Sequence, residues 1–146
     1  MKKIFVFILL LAVNISLLAQ KKDYKAAVIA FYNLENLFDT LDNTLINDEE
    51  FLPSGPRNYN SEIYFDKLNK LATVISQLGT EMTPDGPAIL GVAEVENDTV
   101  LNDLVRHKLI EKRNYKIVHY DSRDFRGIDV GLLYNPKYFI VEASDK

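Results

Sequence analysis

Two uninterrupted apolar segments constrain the fold of this chain more than any other feature. The first runs from Ala26 to Tyr32 (AAVIAFY) and the second from Ala88 to Ala93 (AILGVA). Continuous apolar runs of this length, bounded by polar or turn residues, predict strands that are buried on both faces, as in a parallel sheet. The first strand is expected to stop at Asn33 and the second at Glu94.

Helical periodicity lies between and after these two strands. Apolar residues recur at helical spacing from Tyr64 to Leu78, and Asn60 or Ser61 can cap the start of that helix. A second helix is predicted to begin near residues 97–98. The strand-helix-strand-helix order predicts an α/β fold.

The rest of the chain predicts loops and hairpins. Residues 39–56 carry five acidic residues and no basic one. Because they lack the order of ligands found in an EF-hand calcium loop, we interpret them as a solvated acidic loop. Short strands are predicted over Tyr115–Tyr120, Ile128–Tyr134 and Tyr138–Val141. Their short connections favour antiparallel hairpins.

The amino terminus is typical of a secretory signal peptide. Two lysines precede the apolar run 4–13, and cleavage is predicted after Ala19. We therefore expect residues 20–146 to be one secreted or periplasmic domain, with no stable membrane insertion after residues 1–19 are removed. An uncleaved anchor stays open as an alternative, because Leu17 is larger than the small residue usual before such a site.

Composition excludes several kinds of chemistry. The chain has no cysteine, which excludes disulfides, a thiolate nucleophile and Cys-ligated zinc or iron–sulfur sites. The net charge is −4, and removal of the leader lysines makes it more negative. Such a chain has no general attraction for polyanions, so contact with phosphate requires a local basic patch or a bound cation.

Polar residues follow both buried strands. Asn33 and Glu35 come after the first strand, and Glu94 and Glu96 come after the second. Ligands gather at the carboxyl ends of strands, and carboxylate and amide oxygens suit Mg²⁺, Mn²⁺ or Ca²⁺. The same residue types are also ordinary turn and cap residues, so both interpretations stay open. Glu94 favours the metal, because it directly follows an apolar run where an unpaired carboxylate is costly.

The segment from Arg126 to Asp129 is a second candidate. A guanidinium can contact phosphate oxygens in bidentate fashion, and Asp129 can orient either Arg126 or an imidazole. The alternative is an exposed turn in which Arg123, Asp124 and Arg126 are solvated. His119 lies in a predicted strand and is interpreted as a packed or surface histidine.

Three segments resemble, in order and spacing, the first three motif blocks of the endonuclease/exonuclease/phosphatase superfamily. They are Phe31–Phe38 (FYNLENLF), Ile89–Asn97 (ILGVAEVEN) and His119–Tyr134 (HYDSRDFRGIDVGLLY). The resemblance is closest to secreted bacterial members and spans Ala27 to about Phe139. It implies a four-layer α/β sandwich, in which two mixed or antiparallel sheets pack face to face with helices outside. It also implies Mg²⁺-dependent hydrolysis of phosphate esters.

The resemblance implies a role for each matching residue after the first two strands. Asn33 is similar to the asparagine that contacts the metal-bound phosphate, and we expect it to be catalytic. Glu94 resembles the principal metal-binding glutamate, and Glu35 resembles the acidic residue beside it. We therefore expect Glu94 and Glu35 to bind Mg²⁺, or Mn²⁺ or Ca²⁺ in its place.

The third block implies further site residues. Arg126 and Asp129 fall where family members border the substrate cleft, and we expect both to be catalytic. Tyr120 is expected close by, in contact with the substrate. Glu96 occupies a place where some nucleases of the family have a phosphate-binding arginine. We expect Glu96 to contact the substrate too, although this difference weakens the inference of DNA binding.

The family's later motifs have no counterpart before Lys146. These are an Asp-x-Asn that carries the water-activating base and a final His preceded by Asp. A metal alone is insufficient, because attack by water also needs an orienting base. We therefore predict that residues 20–146 are the front half of the domain, from a truncated or partial sequence. An apolar sheet face would then be exposed.

These observations leave three hypotheses about function. The leading one is a metal-dependent nuclease or phosphodiesterase that acts on phosphate esters, with DNA and RNA among the candidates. A phosphomonoesterase or phospholipase of the same superfamily is the alternative within the enzyme class. A non-catalytic remnant or binding module is the alternative outside it, so whether this chain is itself an enzyme stays open. No protein partner is implied.

Overall fold

The computed structural model describes residues 26–146, and the leader predicted at residues 1–19 lies outside this part of the chain. The described residues form a mixed α/β fold, which confirms the predicted class. In chain order its elements are β1 (Val28–Leu37), α1 (Ser61–Gln77), β2 (Pro87–Val95), α2 (Asp98–Val105), β3 (Lys116–His119) and β4 (Asp129–Tyr134).

The four strands form one mixed sheet in the order β1-β2-β4-β3. β1 and β2 pair in parallel, with Asn33 opposite Ala93. β4 runs antiparallel to both β2 and β3, so the antiparallel pairing predicted for the last part of the chain is confirmed for β3 and β4. The carboxyl ends of β1, β2 and β3 and the start of β4 consequently meet at one edge of the sheet.

Both helices begin at the asparagines available in the sequence. The Asn60 side chain accepts a hydrogen bond from the backbone N–H of Ile63, and the Asn97 side chain accepts one from Val100. Such caps satisfy backbone donors that the first turn leaves free. Neither helix within residues 26–146 is long and apolar enough to cross a bilayer. The apolar faces of the helices pack with one side of the sheet in a single core, whose members include Leu68, Ile75, Leu90, Val92, Leu104 and Leu133.

The other side of the sheet is apolar and open within the described residues. Ile29 and Phe31 on β1 are 71% and 70% exposed, and Val130 on β4 is 67% exposed. Successive side chains of a strand point to opposite faces, and the helices cover only one of them. The prediction that β1 is buried on both faces is therefore wrong. The exposed apolar face expected from the family resemblance is present.

β1 is longer than its apolar run predicts. The strand passes Asn33, shifts register, and pairs again at Leu37, which lies opposite Val95. A register shift of this kind lets a strand continue while it changes the direction of its side chains. The polar residues after the apolar run thus belong to the strand and not to a loop beyond it.

The strand predicted over Tyr138–Val141 is absent from the structure. The backbone N–H groups of Tyr138 and Phe139 both donate to the carbonyl oxygen of Asn135, which forms a turn. These donors are then unavailable for a strand ladder. Ile140 is 80% exposed, so this segment has apolar residues of a strand type but no neighbouring strand to pair with.

Replacing Ile29 and Phe31 by threonine should reduce the binding of a hydrophobic dye. Threonine keeps the β preference of these positions but removes most of their apolar surface. We expect the folded I29T/F31T variant to give weaker anilinonaphthalene sulfonate fluorescence than the wild type. Leu45, which is 89% exposed in the acidic loop, provides the matched control L45T. Equal signals from wild type and I29T/F31T would show that this face does not bind the dye.

Candidate functional site

The ends of β1 and β2 bring Asn33 and Glu94 into direct contact. Nδ2 of Asn33 donates to Oε1 of Glu94 at 2.8 Å, although the residues are 61 positions apart. Oδ1 of Asn33 accepts the backbone N–H of Glu35 at 2.7 Å. The amide is therefore held on both sides, and its direction fixes the orientation of the Glu94 carboxylate. The structure thus brings together the first two residues that the sequence singles out.

The backbone at this edge is in an uncommon conformation. Glu35, Asn36 and Glu94 have φ angles of 52°, 60° and 60°. Non-glycine residues in the left-handed region cost about 1–3 kcal/mol each and concentrate at functional sites. The register shifts of β1 and β2 fall on these same residues. Both strands consequently leave regular alternation at the point where their carboxylates lie.

Lys67 on α1 adds a positive charge beside this pair. Its Nζ donates to the carbonyl oxygen of Glu35. Burial lowers the pKa of Lys67, and the neighbouring Glu35 and Glu94 carboxylates act in the opposite direction. Nothing in the sequence identifies Lys67, because it is one of several polar residues on an amphipathic helix.

Arg126 lies in the connection between β3 and β4 and is exposed. Its guanidinium binds Asp124 through two contacts, at 3.1 Å and 2.7 Å. This pairing holds the pKa of Asp124 down at about 2. The Asp124 contact, and to a smaller extent the charge of Glu94, raise the pKa of Arg126. Within the described chain Arg126 makes no hydrogen bond to Asn33 or Glu94.

A cleft of about 430 Å³ lies beside Arg126. It separates the acidic loop from the connection between β3 and β4. Arg57 and Arg126 contribute the two cationic side chains of the cleft, and Asn36 brings it next to the end of β1. Glu49 and Glu50 also line the cleft, and Arg57 and Arg126 are paired with Glu50 and Asp124, so the cleft carries charges of both signs.

Glu96 lies beneath the surface, at 5% exposure. Its Oε2 accepts the backbone N–H of Asp39 at 2.7 Å, which ties the start of the acidic loop to the end of β2. Burial raises the pKa of Glu96 to about 7, and the charges of Asp39 and Asp48 raise it further against the effect of the hydrogen bonds. The structure therefore separates Glu96 from the exposed Asn33–Glu94 pair.

Asp129 forms a second cluster with His119. Oδ2 of Asp129 lies 3.0 Å from Nε2 of His119, and Oδ1 accepts the backbone N–H of Ser122 at 2.7 Å. Oδ1 of Asp98 lies 3.2 Å from the other imidazole nitrogen. Of the two partners proposed for Asp129 from the sequence, the structure shows the imidazole and not Arg126.

The His119–Asp129 cluster lies on the helix side of the sheet. Asp129 is opposite Val95, which is fully buried, and His119 is opposite Gly131, which faces Leu101 of α2. Residues opposite each other on paired strands point to the same face. Asn33 follows Phe31 on the open side, so the two clusters occupy opposite faces of one edge.

Asp121 completes a group of potential metal ligands with His119 and Asp129. One ligand atom of each residue lies within 4.8 Å of the others. Sequence reasoning missed this group because His119 and Asp121 have no ligand-motif spacing to Asp129. Asp98 is equally difficult to find, since an acidic residue in the first turn of a helix is commonplace.

Tyr120 is placed away from Asn33 and Glu94. Its hydroxyl group bonds with Oγ of Ser144 at 2.6 Å. Tyr120 follows β3, and two strands separate β3 from β1 in the sheet. In residues 26–146 it makes no hydrogen bond to Asn33, Glu94 or Arg126.

Residues 28–146 match the family model described as Endonuclease/Exonuclease/phosphatase family. The chain belongs to this family. The match contains the Asn33–Glu94 pair and the Arg126 connection, and it confirms the resemblance seen in the sequence. No curated protein and no solved structure matches the chain. The Endonuclease/Exonuclease/phosphatase family acts on phosphate esters and typically depends on divalent metals.

The Asn33–Glu94 edge of this family member fits a hard divalent cation. Glu94 supplies a carboxylate that Asn33 orients, and its Oε2 accepts no hydrogen bond from the described residues. Mg²⁺ typically uses one or two protein carboxylates and completes its shell with water and substrate oxygens. The donor set is therefore of the right chemical kind.

Glu96→Gln should remove a pH-dependent loss of stability. The folded-state pKa of about 7 lies above the ordinary value of 4.5, so the folded state binds this proton more tightly than the unfolded state. That contribution is complete below pH 4.5 and is lost as the pH rises through 7. We expect the wild type to lose about 1–3 kcal/mol relative to E96Q between these limits.

Urea unfolding in EDTA at a series of pH values measures this difference. Glu81→Gln, at an exposed turn position, is the control and should follow the wild-type profile. Parallel profiles for wild type and E96Q would mean that Glu96 titrates normally in the folded protein.

Proposed function

We propose that this family member hydrolyses phosphodiester bonds with a divalent metal at the Asn33–Glu94 edge. The observation that carries the proposal is the 2.8 Å hydrogen bond from Asn33 to Glu94. It joins the carboxyl ends of two parallel strands, where open sheets bind ligands. A carboxylate oriented before the ligand arrives needs no rearrangement when charge develops in the reaction.

Glu94, with Glu35 beside it, would hold Mg²⁺, Mn²⁺ or Ca²⁺. When bound, the ion would polarise a phosphoryl oxygen and offset the negative charge of an acidic chain facing an anionic ester. Asn33 orients Glu94 through Nδ2. Lys67 fixes the backbone of Glu35 and adds positive charge to the edge.

Arg126 would bind a phosphate oxygen of the substrate. Its guanidinium is exposed, borders the 430 Å³ cleft and lies within the electrostatic range of Glu94. Asp129 would act on the same connection indirectly, because it holds the backbone of Ser122 at the start of the turn. Glu96 would likewise act indirectly by holding the acidic loop at Asp39.

The open apolar face supports a larger domain. We propose that Ile29, Phe31 and Val130 pack against a second sheet, as in the four-layer sandwich implied by the family. Residues 20–146 would then be its front half. That second half would supply the base that orients water. We also propose export through the leader at residues 1–19.

A panel of phosphate-ester substrates distinguishes the candidate activities. A phosphodiesterase or nuclease should turn over bis-p-nitrophenyl phosphate, DNA or RNA in preference to other esters. Preference for p-nitrophenyl phosphate would indicate a phosphomonoesterase, and preference for phosphatidylcholine vesicles would indicate a phospholipase.

Assayed in the complete domain, Glu94→Gln should reduce kcat/KM on bis-p-nitrophenyl phosphate by about 10²–10³-fold, because it removes the carboxylate that holds the cation. Glu81→Gln is the control and should retain the wild-type rate. The reaction should stop in EDTA and recover with added Mg²⁺. Turnover that resists EDTA, or a wild-type rate in E94Q, would exclude this site.

A chain that binds Mg²⁺ through Glu94 but hydrolyses none of these esters would favour the second candidate function, a non-catalytic binding module.

A further inference from the structure

We propose that His119, Asp121 and Asp129 bind a divalent transition-metal ion, Zn²⁺ or Mn²⁺, on the helix side of the sheet. This site is separate from the Asn33–Glu94 edge and does not depend on the proposed hydrolysis. The ligand atoms of the three residues lie within 4.8 Å of one another. One imidazole nitrogen with two carboxylates is a mixed set that suits these ions better than Mg²⁺ or Ca²⁺.

The distance between the first two ligands fits an ion. Nε2 of His119 and Oδ2 of Asp129 are 3.0 Å apart. Two atoms that each lie about 2.1 Å from one ion are separated by about 3.0 Å at the right angle of octahedral coordination, which suits Mn²⁺, and by about 3.4 Å at the tetrahedral angle of Zn²⁺, so zinc requires a small movement of one side chain. Asp121 lies two residues after His119, the last residue of β3, and is exposed, so it can add a third ligand from the solvent side.

Both buried ligands are oriented by a second partner. The carboxylate of Asp98, 3.2 Å from Nδ1 of His119, favours a proton on that nitrogen and leaves the lone pair of Nε2 free. Oδ1 of Asp129 accepts a hydrogen bond from the backbone N–H of Ser122, so Oδ2 faces the imidazole. This is the arrangement that protein metal sites use to orient histidine and carboxylate ligands.

The charges of the cluster also call for a cation. The side chains of His119 and Asp129 are only 3% and 4% exposed. A neutral imidazole can donate an N–H to only one of the two carboxylates that face it. Its other nitrogen is then an acceptor next to the second carboxylate, which is also an acceptor, unless a cation lies between them. Within residues 26–146 no Lys or Arg forms a salt bridge with Asp98, Asp121 or Asp129. A divalent ion offsets two of these three charges, whereas a proton offsets one.

An ion can reach this position and would connect several elements. Asp98 and His119 border a cleft of about 620 Å³ beside α2. The bound ion would join the end of β3, the start of β4 and the connection that carries Arg126. We therefore assign it a structural role, as an anchor for residues 121–128.

Pulsed electron paramagnetic resonance of bound Mn²⁺ tests the proposal, because it detects coupling to a coordinated imidazole nitrogen. The chain is used with Glu94→Gln in place, so that the oxygen-ligated edge is removed. We expect one Mn²⁺ with ¹⁴N modulation. Addition of Asp121→Asn should weaken binding by about tenfold or more, with the far-ultraviolet circular dichroism unchanged. Asp42→Asn, at an exposed position of the acidic loop, is the matched control and should bind as tightly as the parent.

Three results would overturn the site. They are the absence of Mn²⁺ and Zn²⁺ binding in the E94Q chain, bound Mn²⁺ without ¹⁴N modulation, and equal affinity in D121N and its parent. A ¹⁵N spectrum in which both nitrogens of His119 stay protonated at saturating Zn²⁺ would also overturn it, because the proton would then be the cation of the cluster. None of these results affects the Asn33–Glu94 edge, whose own test is the loss of activity in E94Q.

Discussion

The parallel pairing of β1 with β2 determines where the polar groups of this protein lie. With Asn33 opposite Ala93, the two strands reach the same edge of the sheet together, and Glu94 follows immediately. The 2.8 Å contact between Asn33 and Glu94 is a consequence of that register. A shift by one residue would turn these side chains to opposite faces, because the side-chain period of a strand is two. The left-handed conformations of Glu35 and Glu94 are retained at this edge because the pairing on either side holds them.

The sheet separates two environments with different chemistry. The open face carries exposed apolar residues and ends in Asn33 and Glu94, whose possible metal-ligand atoms are oxygens. The helix face is closed by the core and ends in the buried His119–Asp129 cluster, which adds a nitrogen donor. Arg126 lies on the connection between β3 and β4, which runs from His119 to Asp129. Changes in the helix-side cluster therefore bear on the position of a guanidinium that we place at the substrate.

The sequence correctly predicts the elements that depend on residues close together in the chain. The apolar runs identify β1 and β2, and Asn60 and Asn97 identify the helix starts through their capping chemistry. The proximity of Asn33 and Glu94 follows from their places toward the carboxyl ends of two parallel strands, although β1 continues past Asn33 to Leu37. The prediction of a strand over Tyr138–Val141 was wrong. The composition of this segment is typical of a strand, but the backbone N–H groups of Tyr138 and Phe139 donate to the carbonyl oxygen of Asn135.

Contacts between residues distant in sequence account for the rest. The burial of Glu96, its bond to the N–H of Asp39 and the approach of Lys67 to Glu35 depend on how the acidic loop and α1 pack on the sheet. The partnership of His119 with both Asp98 and Asp129 depends on the strand order β1-β2-β4-β3, which no local pattern specifies. The family resemblance predicts that Glu94 and Arg126 are site residues, but it indicates neither the Arg126–Asp124 pair nor the face on which Asp129 lies.

Calorimetric titration of inorganic phosphate with and without Mg²⁺ measures whether the Asn33–Glu94 edge couples a cation to a phosphate. We expect Mg²⁺ to raise the phosphate affinity of the wild type by about fivefold or more, and Asn33→Ala to abolish the increase. A phosphate affinity independent of Mg²⁺, or an equal increase in the N33A variant, would contradict this expectation.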